Sequence, residues 1–276
     1  MLTHTTKHSM QKQTLLRLLD EIEHLHPSNG VTLYFPPEYP NGSTDILLTV
    51  PISWRDDVTK TLEHVTKSDT GGVLFWSQNL QYIIFPPFPL NVTAFYIDWN
   101  VSHLRDLMNK EYTLGVVFVR LGRYAIGVFQ GDALISSKTA GRYVKGRHKA
   151  GGTSQKRFER IREGQIARLY QKVCSIVQEK FSPIEHQLDY IFLGGERFTL
   201  RKFVAKCPYL QKLSAKLLER LLAVTEPNQQ SLLRTPKEVW KSLVIMICNQ
   251  TDQINSNITR PLLLPNHAPD KIDRTN

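Results

Sequence analysis

Residues Leu114–Val119 form a segment of strand length that contains no polar side chain. A strand exposed on one face alternates polar and apolar residues, whereas a strand covered on both faces is apolar throughout. The segment therefore predicts a central strand with further layers on both faces of its sheet. Because 41% of the 276 residues are hydrophobic, the chain can supply such a core. The longest apolar run, Leu243–Cys248, is far shorter than the ~20 residues that a transmembrane helix needs.

The residues after this segment predict further strands of a mixed sheet and helices that pack on it. Short turns lead to Tyr124–Gln130 and Ala133–Ser136, which complete an antiparallel meander, and a long helix follows over about Gln155–Phe181. A strand at Tyr190–Leu193 and a helix at Glu196–Ala205 come next. Strand, strand, strand, long helix, strand, helix is the order of an RNase H-like domain. The apolar stripe expected on the long helix is Phe158, Ile161, Ile166, Leu169, Val173 and Ile176.

The first hundred or so residues predict a smaller α/β domain, because helical and extended patterns alternate there between turn-rich segments. The expected elements are a helix over Met10–His26, strands over Val31–Phe35 and Ile46–Val50, a helix over about Trp54–Lys67, and a hairpin of Val73–Trp76 with Tyr82–Phe85. A last helix is predicted over Pro236–Asn249, with proline in its first turn. The sequence thus predicts an α/β protein with a mixed sheet. Its expected parts are an N-terminal α/β domain over 1–110, an RNase H-like domain over 111–250 and a disordered tail over 251–276.

Positive charge is concentrated in one part of the chain. The whole chain has 35 Lys and Arg against 25 Asp and Glu, a net charge of +10. Residues 138–172 hold eleven of the cations and only two acids, Glu159 and Glu163, so +9 of the net charge lies there. A solvated surface usually mixes both signs, whereas a segment of one sign repels itself unless a polyanion neutralises it. The segment therefore predicts contact with nucleic acid.

A glycine-containing loop lies inside this basic segment, immediately before the long helix. Gly151 and Gly152 allow backbone conformations that are closed to other residues, and Thr153 or Ser154 can cap the helix. The N-terminus of a helix also favours anions. The pattern predicts a flexible tip, flanked by cations, that can approach a phosphate-rich ligand.

The segment Gly151–Glu163 resembles the Gly-Gly-Gln loop and the following helix of archaeal and eukaryotic class I translation release factors. The strands Leu114–Arg120 and Tyr124–Gln130 and the segment Tyr190–Gly195 match the middle domain of that family in order and spacing. The resemblance covers about Leu114–Val224, and the first hundred residues are weakly similar to the family's first domain. It implies a release-factor middle domain of RNase H-like fold.

The loop departs from the standard form of that family. Glutamine follows the two glycines directly in the family, whereas here Thr153 follows them and Gln155 comes two positions later. This Gly-Gly-x-Ser-Gln form is closer to bacterial release-factor-like peptidyl-tRNA hydrolases, whose eukaryotic relatives free stalled chains in ribosome-associated quality control. The first domain lacks the codon-reading Asn-Ile-Lys-Ser motif. The resemblance therefore implies a codon-independent peptidyl-tRNA hydrolase of ribosome rescue.

The resemblance also implies a site and its partners. Gly151 and Gly152 would shape the tip, and Gln155 would orient the water that attacks the ester, since glutamine donates and accepts hydrogen bonds without titrating. The implied partners are peptidyl-tRNA and the large ribosomal subunit with its 23S-type rRNA, and no cofactor or metal is expected. The residues expected to contact RNA are Arg142, Lys145, Arg147, His148, Lys149, Lys156, Arg157 and Arg160.

Two other functions stay open at this point. A non-catalytic ribosome-binding or RNA-binding module would share the fold and the charge, although the known relatives of that kind lack the Gly-Gly-Gln tip that this chain keeps in variant form. An RNase H-like nuclease would need several carboxylates around divalent metal ions. The candidates for that role are Asp98, Asp132, Glu159 and Asp189, and their spacing does not ensure that they converge.

The cysteines and the N-terminus bear on the compartment. Cys174, Cys207 and Cys248 are odd in number and far apart in the sequence, which argues against a disulfide framework and against a zinc ribbon. The polar segment Met1–Gln13 has no apolar region of the kind found in signal peptides. The sequence therefore predicts a cytoplasmic, monomeric protein without membrane contact.

Overall fold

The computed structural model describes residues 3–25, 27, 29–37, 50–62, 68–146 and 153–249. The chain divides into two compact units, the first from residues 1–109 with 241–276 and the second from residues 110–240. One sheet has six strands and the other has five, and the predicted α/β fold with a mixed sheet is confirmed. Three predicted segments lie outside the described residues: 46–49 of a strand, 63–67 at the end of a helix, and the tail over 251–276.

Both units contain strands and helices. In chain order the strands are β1 (Thr3–Met10), β2 (Val31–Phe35), β3 (Gly72–Trp76), β4 (Leu80–Phe85), β5 (Ala94–Ile97), β6 (Thr113–Arg120), β7 (Arg123–Gln130), β8 (Ala133–Gly141), β9 (Tyr190–Gly195), β10 (Leu217–Leu222) and β11 (Ser242–Asn249). The helices are α1 (Lys12–Leu25), α2 (Ile52–Leu62), α3 (Ser102–Asn109), α4 (Thr153–Phe181), α5 (Arg197–Ala205), α6 (Pro208–Lys212), α7 (Gln229–Leu233) and α8 (Thr235–Val239).

The sheet of the first unit has the strand order β1-β11-β4-β3-β2-β5, with every neighbouring pair antiparallel. As the sequence predicts, α1 buries one stripe at helical spacing, which includes Leu15, Leu19 and Ile22. α2 buries Val58 and Leu62 in a core that it shares with apolar residues of β2, β3, β4 and β11. The first unit therefore has a hydrophobic core of its own.

The helix predicted over Pro236–Asn249 is wrong beyond Val239. The helix ends there, and Ser242–Asn249 forms β11, which pairs antiparallel with β1 on one side and β4 on the other. Val244 and Ile245 of this strand are buried. An apolar run without helical period, rich in β-branched residues, fits a strand with neighbours on both sides. Because both partner strands lie far away in the sequence, local patterns do not reveal the pairing.

The second unit has the strand order β10-β9-β6-β7-β8. β7 is antiparallel to both β6 and β8, whereas β9 is parallel to β6 and β10 is parallel to β9. β6, β8, β9 and β10 therefore run in one direction, and β7 runs in the other. This is the RNase H-like arrangement that the sequence predicts. Leu114–Val119 is buried over its whole length at the centre of the sheet. α4, α5 and α6 share a core on one face.

The C-terminal half of α4 packs against the central strands. Leu169, Val173 and Phe181 are fully buried there. The ring of Phe181 lies so close to Gly115 that a Cβ at residue 115 would be 2.7 Å from its Cζ atom, so the glycine makes room for the ring. Although α4 has 29 residues, no helix in the described part of the chain is both long and apolar enough to cross a membrane.

One expectation about the cysteines is wrong. Cys174 of α4 and Cys207, just before α6, form a disulfide, with Cα atoms 5.4 Å apart. They are separated by 33 residues in the sequence, but their helices pack on the same face of the sheet. Separation along the chain therefore does not argue against pairing once the fold brings two helices together. The third cysteine, Cys248, is free.

Candidate functional site

The N-terminal half of α4 contributes no buried side chain to the core of the second unit, and only its end packs on that core, through the half-buried Ile166. From Gln155 to Arg168 no side chain is buried, and the first buried one is Leu169. At 1.5 Å per residue, residues 153–165, which precede Ile166, extend for ~20 Å. Most of the stability of a protein helix comes from packing one face against a core, so this half needs other contacts to hold it.

An extended segment, residues 142–146, supplies these contacts. The Lys145 backbone N–H donates to Oε1 of Gln165 at 2.9 Å. In return, Nε of Arg162 donates to the Lys145 carbonyl at 2.9 Å. The two hydrogen bonds clamp the segment along the helix, and we call residues 142–146 and 153–168 together the stalk.

The stalk begins at an edge of the five-stranded sheet. The backbone N–H of Arg142 donates to the Gly122 carbonyl, in the turn after β6, at 2.8 Å. Burial raises the pKa of Tyr124, and the nearby Arg142 guanidinium partly opposes this rise because it favours the phenolate. Backbone and side chain of Arg142 are thus both at the base of the stalk.

Gln155 lies in the first turn of α4, at the end of the helical part of the stalk farthest from the core. Its side chain is half-buried, and Nε2 donates to Oε1 of Glu159, one turn along the helix, at 3.0 Å. The amide is therefore held at the surface and does not enter the protein interior. Gly151 and Gly152, which were expected to form the catalytic loop with Gln155, lie outside the described residues.

The residues expected to contact RNA lie on the stalk wherever the structure describes them. Four are exposed and one, Lys145, is half-buried. The described stalk has seven Lys and Arg against Glu159 and Glu163, a net charge of +5. The exposed four are Arg142, Lys156, Arg157 and Arg160. The other three, Arg147, His148 and Lys149, lie outside the described residues.

Aromatic side chains are exposed among these cations. Tyr143 is 74% exposed and Phe158 is 38% exposed, with Nζ of Lys145 lying 5.1 Å from the centroid of the Phe158 ring. Phe158 and Ile161 were predicted to belong to the core stripe of α4, which is wrong, because that stripe extends beyond the part of the helix that packs on the sheet. Exposed rings beside cations are typical of surfaces that bind unpaired RNA.

Arg162 and Gln165 are candidate functional residues that the sequence analysis missed. Their spacing of three residues places both on one face of α4, and that is the only local signal they give. Both side chains form hydrogen bonds with the backbone of Lys145. A sequence motif does not indicate such a bond, because every residue has the same backbone groups. Both residues act by positioning the stalk.

The carboxylates considered for a nuclease site lie on different elements of the chain. Asp189 accepts a hydrogen bond from a backbone N–H of β6 at 2.8 Å and pairs with Lys110 at 3.3 Å, which gives it a structural role. Asp98 belongs to the first unit, Asp132 to the turn after β7 and Glu159 to the stalk. Within the described ranges, no three His, Cys, Asp or Glu residues are grouped closely enough to hold a metal ion.

The family model described as "Actinobacteria/chloroflexi VLRF1 release factor" matches residues 112–245, which include most of the second unit. The chain is release-factor-like. Peptide chain release factor subunit 1 of Aeropyrum pernix is 25% identical over 253 residues, covering 81% of this chain and 68% of the relative. The same protein of Methanopyrus kandleri is 30% identical over 146 residues, covering 52% of this chain and 34% of the relative.

Solved structures are similar to this release-factor-like chain at low identity. The archaeal translation termination factor aRF1 is 20% identical, with a TM-score of 0.36, over 81% of this chain and 68% of its own. The Vms1 mitochondrial localization core is 13% identical, with a TM-score of 0.40, over 68% of this chain and 80% of its own. The activity and partners of this chain must be inferred from its own residues.

Proposed function

We propose that this release-factor-like protein is a codon-independent peptidyl-tRNA hydrolase of ribosome rescue, acting in the cytoplasm on stalled ribosomes or on their large subunits. The observation that carries the proposal is the stalk, whose helical residues 153–165 extend for ~20 Å, bury no described side chain and hold Gln155 near the end. A slender projection of this kind fits the task of bringing a polar group into a narrow RNA cavity. The family match over residues 112–245 supports the same assignment.

In the proposed reaction, water hydrolyses the ester that joins the peptide to the tRNA. The water oxygen forms a bond to the carbonyl carbon, the bond from that carbon to the ribose oxygen breaks, and the ribose oxygen takes up a proton. Gln155 Oε1 accepts a hydrogen bond from the attacking water and so orients it, which favours attack by proximity. The loop glycines Gly151 and Gly152 let the backbone approach the ester closely.

Glu159 positions the amide in this mechanism. When Nε2 of Gln155 donates to the carboxylate at 3.0 Å, Oε1 on the other arm of the amide faces away from Glu159. That orientation presents the acceptor atom to water. Because the amide does not titrate near neutral pH, it stays in one charge state throughout the reaction.

The cations of the stalk bind the phosphates that surround the ester. Phosphate contacts by Lys and Arg release counterions, so binding of the protein to large subunits weakens as salt rises. Arg142, Lys156, Arg157 and Arg160 are exposed for such contacts. These residues supply affinity and orientation, whereas Gln155 supplies the chemistry.

The test is the release of labelled peptide from peptidyl-tRNA on isolated large subunits. Gln155→Ala is expected to lower the rate by about 100-fold, the usual scale for losing one transition-state hydrogen-bonding group. Gln178→Ala is the matched control, because Gln178 is an exposed glutamine on the same helix at its other end, and it should release peptide like the wild type. Binding to large subunits is measured in parallel for each variant.

Three outcomes would overturn the proposal. Unchanged release by both Gln155→Ala and Gly152→Ala would contradict the mechanism. Salt-sensitive binding by the wild type without any release would indicate a non-catalytic ribosome-binding module. RNA cleavage that EDTA abolishes would indicate a nuclease.

A further inference from the structure

α5 has a buried face and an exposed face of different character. Thr199, Leu200 and Phe203 are buried, and the last two belong to the core that α5 shares with α4. The exposed side carries four cations and one aromatic ring. We call this group the α5 surface: Arg197, Phe198, Arg201 and Lys202, with Lys206 directly after the helix.

The cations of the α5 surface are not paired with carboxylates within the described residues. None of the four forms an ion pair with a carboxylate there, whereas the neighbouring Lys212 pairs with Glu185 at 2.6 Å. Arg197 lies in the first turn, where the helix dipole favours anions. Arg197 and Arg201 are also spaced four residues apart, and like charges at this spacing repel each other. Arg197 and Arg201 therefore oppose helix stability, whereas Lys202 in the last turn does not. An anion bound between the two arginines would relieve their repulsion.

Phe198 adds an apolar component to the same surface. Its side chain is 55% exposed, and Nζ of Lys202 lies 4.3 Å from the centroid of its ring. The ring is therefore available to a partner on one side while it is close to a cation on the other. A nucleic-acid base has a π-face that can stack on such a ring. This stacking contributes to binding affinity for all four bases.

The buried face of α5 packs against α4 just beyond the stalk. The hydroxyl of Tyr170, on α4, donates to the Thr199 carbonyl of α5 at 3.2 Å. Burial raises the pKa of Tyr170, Glu196 raises it further, and Arg162 of the stalk opposes the rise. α5 is therefore packed on the helix that carries the stalk, so the α5 surface has a fixed position relative to it.

We propose that the α5 surface binds an unpaired segment of the large-subunit RNA, with a base stacked on Phe198 and phosphates bound by Arg197, Arg201 and Lys202. This proposal rests on the proposed function, because it takes the same ribosomal particle as the partner. It assigns to α5 a second attachment point that leaves the stalk free to enter its cavity. An acidic protein would satisfy the charges alone, whereas the exposed ring among them favours a partner with both phosphates and bases.

The test compares Phe198→Ala and the double variant Arg197→Gln/Arg201→Gln with matched controls. Leu233→Ala removes another exposed apolar side chain, 60% exposed on α7, and Lys237→Gln removes an exposed cation of α8. Binding is measured against isolated large subunits, a short unpaired RNA, an RNA duplex and polyglutamate. All four variants change exposed side chains, and far-UV circular dichroism checks that each is folded.

Phe198→Ala is expected to weaken binding to the unpaired RNA and to large subunits by about tenfold, in line with the loss of one stacked base. The double variant should also lower the slope of log affinity against log salt by about 1.4, which is two lost contacts at ~0.7 each for a single strand. The controls should bind like the wild type. Equal binding by Phe198→Ala and the wild type, or tighter binding of polyglutamate than of RNA, would overturn the proposal.

The two proposals fail in different ways. If Gln155→Ala and Gly152→Ala both released peptide normally while Phe198→Ala lost RNA binding, the proposed hydrolase mechanism would be wrong and the α5 surface would stand. If Gln155→Ala abolished release while Phe198→Ala bound large subunits normally, the α5 surface would be wrong and the hydrolase function would stand.

Discussion

Gly195 shows how a single backbone position shapes the base of the site. It ends β9 with φ of +136°, a conformation that residues with a side chain rarely adopt. A Cβ at this position would clash with the Val119 carbonyl oxygen, near the end of the neighbouring β6. The stalk leaves the sheet at the same end of the strands, since Arg142 is bonded to the turn after β6. Glycine is therefore needed at residue 195 both for its backbone conformation and for the close approach of the two strands.

We expect Gly195→Ala to lower the free energy of unfolding of the second unit by ~2 kcal/mol, because it combines a strained backbone with a steric clash. Gly146→Ala is the control, since a Cβ there has no atom within 4 Å and its effect should stay within ~0.5 kcal/mol. Urea unfolding followed by far-UV circular dichroism measures both. Equal midpoints for the two variants would refute this reading of Gly195.

At the scale of elements, the sequence predicts what is local and misses what is not. Leu114–Val119 predicts its own burial because the apolar run is complete, and the long helix is found close to its expected bounds. β11 was mistaken for a helix, since its strand character depends on β1 and β4, which are distant in the sequence. The disulfide between Cys174 and Cys207 was missed for the same reason, because it depends on how two helices pack.

The candidate site also combines features that a local sequence pattern predicts with a contact that it does not predict. Gln155 and the exposed cations were predictable, because a motif and a run of charge identify them within one short segment. The clamp of Arg162 and Gln165 on Lys145 was not, because it joins side chains to a backbone about twenty residues earlier in the chain. The structure thus adds to the sequence motif an account of how the half of α4 without buried side chains is held in place.

The clamp makes its own prediction. Gln165→Ala removes the acceptor of the Lys145 N–H, now bonded at 2.9 Å, so protection of that amide from hydrogen exchange should fall by about tenfold. Gln171→Ala, an exposed glutamine six residues further along α4, should leave the amide unchanged. Hydrogen–deuterium exchange resolved to single amides measures the difference. If the Lys145 amide were equally protected from exchange in the two variants, the clamp would not hold the segment in solution.

For the whole molecule, the path of the chain links the two units covalently in two places. The chain leaves the first unit after α3, forms the whole second unit, and returns as β11 to lie between β1 and β4. The first unit therefore needs residues from both ends of the described chain, whereas the second is continuous from residue 110 to residue 240. Folding of the first unit must bring together strands with very different positions in the sequence, which is intrinsically slow.

This path predicts unequal effects of truncation. A chain that ends at Trp240 lacks β11, and with it the buried side chains of Val244, Ile245 and Ile247. Burial of three such side chains is worth about 1.5–3 kcal/mol each, a large part of the 5–15 kcal/mol by which a domain is usually stable, and β1 and β4 also lose their common neighbour. We expect the first unit of this truncated chain to unfold, while a fragment of residues 110–240 keeps a cooperative thermal transition because its own core is intact. Calorimetry of the full chain, the truncated chain and the fragment separates these outcomes, and a truncated chain that kept every transition of the full chain would show that β11 is dispensable for the first unit.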